Sequence, residues 1–119
     1  NLKFYKDMMK KINLKKINLI DKLIKLRQKG YILSGIGAGA KSNTFLTFYG
    51  LNNNVIKFLT DSSKFKQNKF TPVTRIVIKN DNELARYKKI ACLILSWNIS
   101  DIIVKKIKKI NRNIKFIKT

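Results

Sequence analysis

The 119 residues suffice for one domain with a single core, and a hydrophobic content of 45% argues against a disordered basic tail. With 27 basic and 6 acidic residues the formal net charge is +21, a field that points to anions: a phosphorylated ligand, nucleic acid or an anionic surface. No histidine is present, which excludes a histidine base or metal ligand; the single cysteine excludes an internal disulfide and a cysteine metal cluster; and no apolar run reaches the roughly 18 residues of a membrane span.

Part of the charge is compositional. Lys, Ile and Asn dominate the chain, as an A/T-rich coding sequence would make them. Glu is A/T-coded as well, yet Glu83 is the only one, so coding bias does not account for the whole field. The chain opens on Asn1 and not Met, so we expect a piece of a longer polypeptide.

Leu2 to Gln28 reads as a long basic helix. Tyr5, Met8, Met9 and Ile12, then Leu19, Ile20, Leu23 and Ile24, recur at three- and four-residue steps, and the opposite face is nearly all lysine. Gly30 is its stop; a break into two helices near Asn13 or Asn18 is the alternative. We expect its apolar face to pack on a core or on another domain. From Tyr31 the pattern changes. Tyr31 to Ile36 is a first strand running into a Gly/Ala-rich turn, and Asn43 to Tyr49 is a helix stopped by Gly50. Val55 to Thr60 is a second strand that ends at Asp61, followed by a polar loop from Ser62 to Pro72. Arg75 to Ile78 is a third strand, and Asp81 caps a short helix. Ala91 to Ser96 is a fourth strand, Asn98 to Lys109 an amphipathic helix, and Asn113 to Ile117 a fifth strand. Cys92 falls in the most apolar run and reads as a small buried hydrophobe.

Alternating strands and helices with near-continuous apolar central strands predict a parallel sheet covered on both faces. The fold class is therefore α/β: a small Rossmann-like, doubly wound sheet of about five mainly parallel strands in order 3-2-1-4-5, preceded by the long basic helix. Residues 1–29 form the helical linker and 30–119 the Rossmann-like domain.

Ligands of such sheets bind beyond the carboxyl ends of the strands. The first loop there, Gly35-Ile36-Gly37-Ala38-Gly39-Ala40-Lys41-Ser42-Asn43-Thr44, fits G-x-G-x-x-A between a strand and a helix. Glycine lets the backbone turn tightly and approach a phosphate, and the free N–H groups of the helix start favour an anion. Lys41 adds a cation. Taken alone the pattern is also what an empty strand–helix turn needs. Asp61 stands where an acid grips ribose hydroxyls in dinucleotide folds; an Asx turn that orders the loop is an equal reading. Lys64, Lys66 and Lys69 offer point charges to a diphosphate or are simply solvated. Trp97 and Asn98 end the fourth strand, as a cover and a cap or as an indole and an amide for a base or sugar. No catalytic set is found: six scattered acids form neither a general acid–base pair nor a magnesium site. No metal site is expected.

The same segments carry a resemblance. Gly35 to Thr44 resembles the G-Y-G-A-S-A-K-G-N-T loop of the C-methyltransferase C-terminal domain family. Asp61 to Thr74 resembles its D-x-N-P-x-K-Q-G-x-Y-T-P-G-T segment, Leu93 to Asn98 its L-L-L-A-W-N strand end, and Lys115-Phe116-Ile117 its closing G-K-F-I-x-P. These ordered motifs cover roughly Leu23 to Thr119. The chain departs from the pattern at Ile36 for tyrosine, Ser42 for glycine, Ser63-Lys64 for Asn-Pro, Asn68 and Val73 for glycines, and Arg75 for histidine.

The resemblance implies the substrate-side domain of an S-adenosylmethionine-dependent sugar C-methyltransferase, catalytically inactive alone. A nucleotide-diphosphate sugar would be bound through Gly35, Gly37, Ala38, Gly39, Lys41, Ser42, Asn43, Thr44, Asp61, Lys66, Trp97 and Asn98. No cofactor is expected in this domain; S-adenosylmethionine and the catalytic base are expected in an upstream domain, the implied partner. A cytoplasmic location follows, with neither a membrane nor nucleic acid as partner. A stand-alone nucleotide or dinucleotide module is the alternative reading, and a basic nucleic-acid-binding protein the third.

Overall fold

The computed structural model describes residues 1–95 and 100–119. Helix α1 spans Leu2–Gln28 without a break at Asn13 or Asn18. Neither glycine nor proline interrupts it, and the Asn1 side chain accepts the Phe4 N–H at 3.0 Å. It ends where the backbone reverses at Gly30, φ +89°, with the Tyr31 N–H donating to the Leu26 carbonyl at 3.0 Å. Within α1 only Leu23 and Leu26 are buried, so its apolar stripe packs on the core over the last turns alone. Leu2, Phe4, Tyr5, Leu14 and Ile17 are exposed.

The strands are β1 (Ile32–Ile36), β2 (Phe58–Thr60), β3 (Ile78–Lys79), β4 (Ile90–Ile94) and β5 (Lys115–Lys118), in the order β3-β2-β1-β4-β5 and all parallel. Helix α2 (Ala40–Phe48) links β1 to β2, a 3₁₀ helix (Asp81–Arg86) precedes β4, and α3 (Ser100–Ile110) precedes β5. The predicted class and strand order are those observed. Register puts Gly35 beside Leu59 and Leu93, and Ile36 beside Thr60 and Ile94.

Side chains alternate between two cores. Leu33, Leu59, Leu93 and Leu95 meet Leu23, Leu26 and Leu46 on the α1/α2 face. Ile36, Phe58, Ile90 and Cys92 meet Leu84, Ile107 and Ile114 on the other. All five residues of β4 are buried, as a central strand covered on both faces requires. Ser34, fully buried in β1, donates its hydroxyl to the Phe58 carbonyl at 2.7 Å and so carries no unmet polar cost.

Several boundaries differ from those read in the sequence. Helix α2 begins three residues before Asn43, because extended Gly39 serves as its N-cap (φ −80°, ψ 179°) and Ala40 to Ser42 already form its first turn. Val55 and Ile56 belong to a turn closed on the Asn52 carbonyl, so β2 is shorter than predicted. β3 starts at Ile78, not Arg75: the loop after Asp61 folds back antiparallel on it, pairing Phe70 with Val77. The 3₁₀ helix is capped by Asn80, whose side chain accepts the Asn82 N–H; Asp81 instead pairs with Lys106 at 2.9 Å. β5 runs from Lys115 to Lys118, two residues later than the predicted start. The predicted end of the fourth strand at Ser96 and start of the last helix at Asn98 lie outside the described residues.

Candidate functional site

The site lies where β1 turns into α2. Gly37 sits at φ +102°, a conformation that strains any residue with a Cβ. Its N–H donates to the Thr60 carbonyl at 2.8 Å, and the next N–H, of Ala38, donates to Asp61 Oδ2 at 3.1 Å. Both donors are thus turned toward β2. The N–H groups of Ala40, Lys41 and Ser42 begin a helix and have no acceptor within it, and Gly39 brings no side-chain cap to them. Among the described residues, an added Cβ at Gly39 would meet no heavy atom within 4 Å. The positive end of the helix dipole is at the same place.

Gly35 serves a different purpose. It is buried within β1, and a Cβ there would lie 2.6 Å from Leu59 Cδ2 and 3.0 Å from Leu95 Cδ1. It lets two leucines close over the strand and does not line the turn. Ser42 is also buried, and its hydroxyl donates to the Leu95 carbonyl at 3.5 Å, which ties the start of α2 to the end of β4. Thr44 donates back to the Ala40 carbonyl at 3.1 Å. Asn43 donates its N–H to the Gly39 carbonyl, while its buried side-chain Oδ1 has no partner among the described residues.

Asp61 clips two loops together. Oδ1 accepts the Ser63 N–H at 2.9 Å, closing an Asx turn, and Oδ2 accepts from Ala38 with Lys66 Nζ 3.9 Å away. The Gln67 amide donates to the Asp61 carbonyl at 3.0 Å. Of the two readings the sequence left for this acid, the Asx turn is made; a ribose would have to share the carboxylate with these donors. Lys66 is held at the turn by Asp61, and Lys41 projects into solvent without an ion pair among the described residues. Trp97 and Asn98 lie outside the described residues.

The second loop is ordered by its own bonds. Thr71 and Thr74, both buried, share a hydroxyl–hydroxyl bond of 2.6 Å, and Thr71 Oγ1 also accepts the Ile76 N–H at 2.9 Å. Asn68 and Val73, the residues that replace family glycines, have φ of +65° and +67°, and Arg75 has +57°. The backbone has kept the shape that glycine would give it.

Two features escaped the sequence reading. Phe45, Phe48 and Tyr49, spaced three and four apart on α2, form an aromatic cluster, with Phe45 and Tyr49 stacked at 4.2 Å and Phe48 half exposed. Together with Ala40, Lys41 and Thr44 they line a shallow, mostly apolar depression of ≈ 390 Å³. Their spacing was visible, but it served equally well as a core-facing stripe. The second is the fully buried hydroxyl of Thr60, next to Asp61 in sequence; this hydroxyl has no hydrogen-bond partner among the described residues. A larger cavity, ≈ 790 Å³, lies at the opposite end of the sheet, before β4 and β5. The glycine turn, by contrast, stands at the carboxyl ends of the strands, where ligands of open α/β sheets enter.

Burial pushes the Cys92 thiol up to about 12, against a smaller lowering by its bond with Ser34, so this sulfur is an inert part of the core. No group of three or more potential metal ligands exists among the described residues, and none of their helices is long and apolar enough to cross a membrane.

The family model of the C-methyltransferase C-terminal domain matches residues 1–119. Over 75 residues the chain is 32% identical to the C-methyltransferase NovU of Streptomyces niveus, a stretch that covers 63% of this chain and 18% of that protein. The similarity thus spans a small part of that relative's length, and the strand order, the turn at Gly37 and the full-length match together lead to one statement: the chain belongs to the C-methyltransferase C-terminal domain family.

Proposed function

We propose that this chain is the substrate-side domain of an S-adenosylmethionine-dependent sugar C-methyltransferase, and that it holds the nucleotide diphosphate of the sugar at the glycine turn. The observation that carries this reading is the helix start after Gly39, whose first N–H groups have no acceptor within the helix and no side-chain cap, with the exposed Lys41 beside them. Diphosphate oxygens accept from the N–H groups of Ala40, Lys41 and Ser42, and the Lys41 ammonium and the Asp61-held Lys66 neutralise the charge. The apolar depression along Phe45, Phe48 and Tyr49 suits a flat, partly apolar moiety of the ligand. Trp97 and Asn98 complete the binding residues in this reading.

Asp61, the acid in the usual place for gripping ribose hydroxyls, already has both oxygens engaged. In this reading S-adenosylmethionine, which supplies the methyl group, belongs to another domain of the same polypeptide, upstream of residues 30–119. In this domain the residues bind and orient the sugar nucleotide; they move no proton. The enzyme acts in the cytoplasm, where its activated sugars are made.

Calorimetric titration with a deoxythymidine-diphosphate sugar tests the reading, with NAD as the competitor. Saturable binding that NAD fails to displace is expected. Lys41→Ala should weaken it by about 1–2 kcal/mol, the scale of one charge-assisted hydrogen bond, with folding intact. Unchanged affinity in that variant, or a preference for NAD, would refute it.

A further inference from the structure

A cavity of ≈ 790 Å³ lies at the end of the sheet opposite the glycine turn. It is bounded by Ala85, Tyr87 and Lys88 ahead of β4 and by residues 108–113 between α3 and β5. Four cations line it, Lys88, Lys108, Lys109 and Arg112, and no acid does. Among the described residues the ion pairs are Lys25–Asp21, Lys66–Asp61, Arg86–Glu83, Lys106–Asp81 and Lys118–Asp101, so none of these four is compensated. Lys108 and Lys109 sit in the last turn of α3, where they offset the negative end of its dipole. That accounts for two of the four. Arg112 follows two residues beyond the same helix end, and Lys88 reaches the cavity from the separate segment ahead of β4.

The walls are fixed by the backbone. The Asn111 amide donates to the Leu84 and Tyr87 carbonyls, 2.8 Å each, and its Oδ1 accepts the Asn113 N–H at 2.9 Å. The Tyr87 ring is held by stacking on Phe58, centroids 5.6 Å apart. A braced cavity of ≈ 790 Å³ with four unpaired cations gains most from a compact, multiply charged anion, which several of them can reach at once.

We propose that this cavity is a second anion site, for a small oligophosphate, separate from the glycine turn and independent of the nucleotide-sugar reading. The test is calorimetric titration of the full chain with inorganic tripolyphosphate at physiological salt, on a Lys41→Ala, Lys66→Ala background that removes both glycine-turn cations. One saturable site is expected. Lys88→Ala with Arg112→Ala should weaken it at least tenfold. Lys3→Ala with Lys10→Ala removes the same charge from α1, well beyond the screening length of about 8 Å, and should change it less than twofold. Equal losses in the two double variants would overturn the proposal, because a diffuse positive field would then explain the binding. So would duplex DNA displacing tripolyphosphate equally well from both double variants. Loss of all tripolyphosphate binding on the Lys41→Ala, Lys66→Ala background would also overturn it, by placing the anion at the glycine turn.

Discussion

Val73→Gly should stabilise this protein, although it removes a side chain. Val73 has φ +67°, where a β-branched residue is a true outlier, and its side chain is 77% exposed. The strain of such a residue is about 2 kcal/mol, within the 1–3 kcal/mol range for sparsely populated backbone regions. Two losses oppose its relief. Glycine frees the unfolded chain, at about 0.7 kcal/mol. The small buried share of the valine side chain contributes about 0.5 kcal/mol. The balance is a gain of about 0.5–1 kcal/mol, or about 2–5 °C in Tm for a chain of this size. Urea and thermal unfolding measure it, with Val73→Ala as the control: alanine keeps the left-handed strain and should not reproduce the gain. A neutral or destabilised Val73→Gly, or an equal gain from alanine, would refute the reasoning. Asn68→Gly should be nearly neutral despite a similar φ of +65°, since asparagine tolerates that region.

Two further outcomes follow from the core. Gly35→Ala should cost about 1–3 kcal/mol by denaturant unfolding, because the new methyl group would press on Leu59 at 2.6 Å; wild-type stability would mean that the two leucines repack freely. Cys92 should shape the alkaline limit of stability. Burial raises its thiol from an ordinary 9.0 to about 12, so the neutral form is favoured by folding. The associated stability is complete below pH 9 and is lost as pH rises from about 9 toward about 12, when the unfolded thiol ionises and the folded one does not. Stability of the wild type should fall more steeply across that window than that of Cys92→Ala, by up to about 1.4 kcal/mol per pH unit; parallel slopes would contradict the burial argument.

Much of this architecture was readable in advance because it rests on strong local signals. The apolar runs at Leu33 and at Ala91-Cys92-Leu93 specify buried parallel strands, and the alternation with helices fixes the winding. Boundaries were less legible where tertiary bonds set them. The loop after Asp61 folds back ahead of β3 through bonds such as that of the Asn68 N–H to the Ile78 carbonyl, which no apolar pattern announces, whereas β2 is shortened by a local turn in which the Val55 and Ile56 N–H groups donate to the Asn52 carbonyl three and four residues back. At the site, the glycine turn announced itself, but Gly35 and Gly37 look alike in sequence and differ in purpose: one admits two leucines, the other takes a positive φ. The engagement of Asp61 with the Ala38 N–H was also invisible, since it joins residues 23 positions apart.

The glycine turn as a diphosphate seat is tested most directly by assigned amide NMR spectra during titration with a deoxythymidine-diphosphate sugar. The largest shifts should fall on the N–H groups of Ala40, Lys41 and Ser42, while Gly37 and Ala38, already bonded to β2, move less. Shifts confined to the amino-terminal end of the sheet, or spread evenly over the lysine-rich surface, would contradict a phosphate seat at the start of α2.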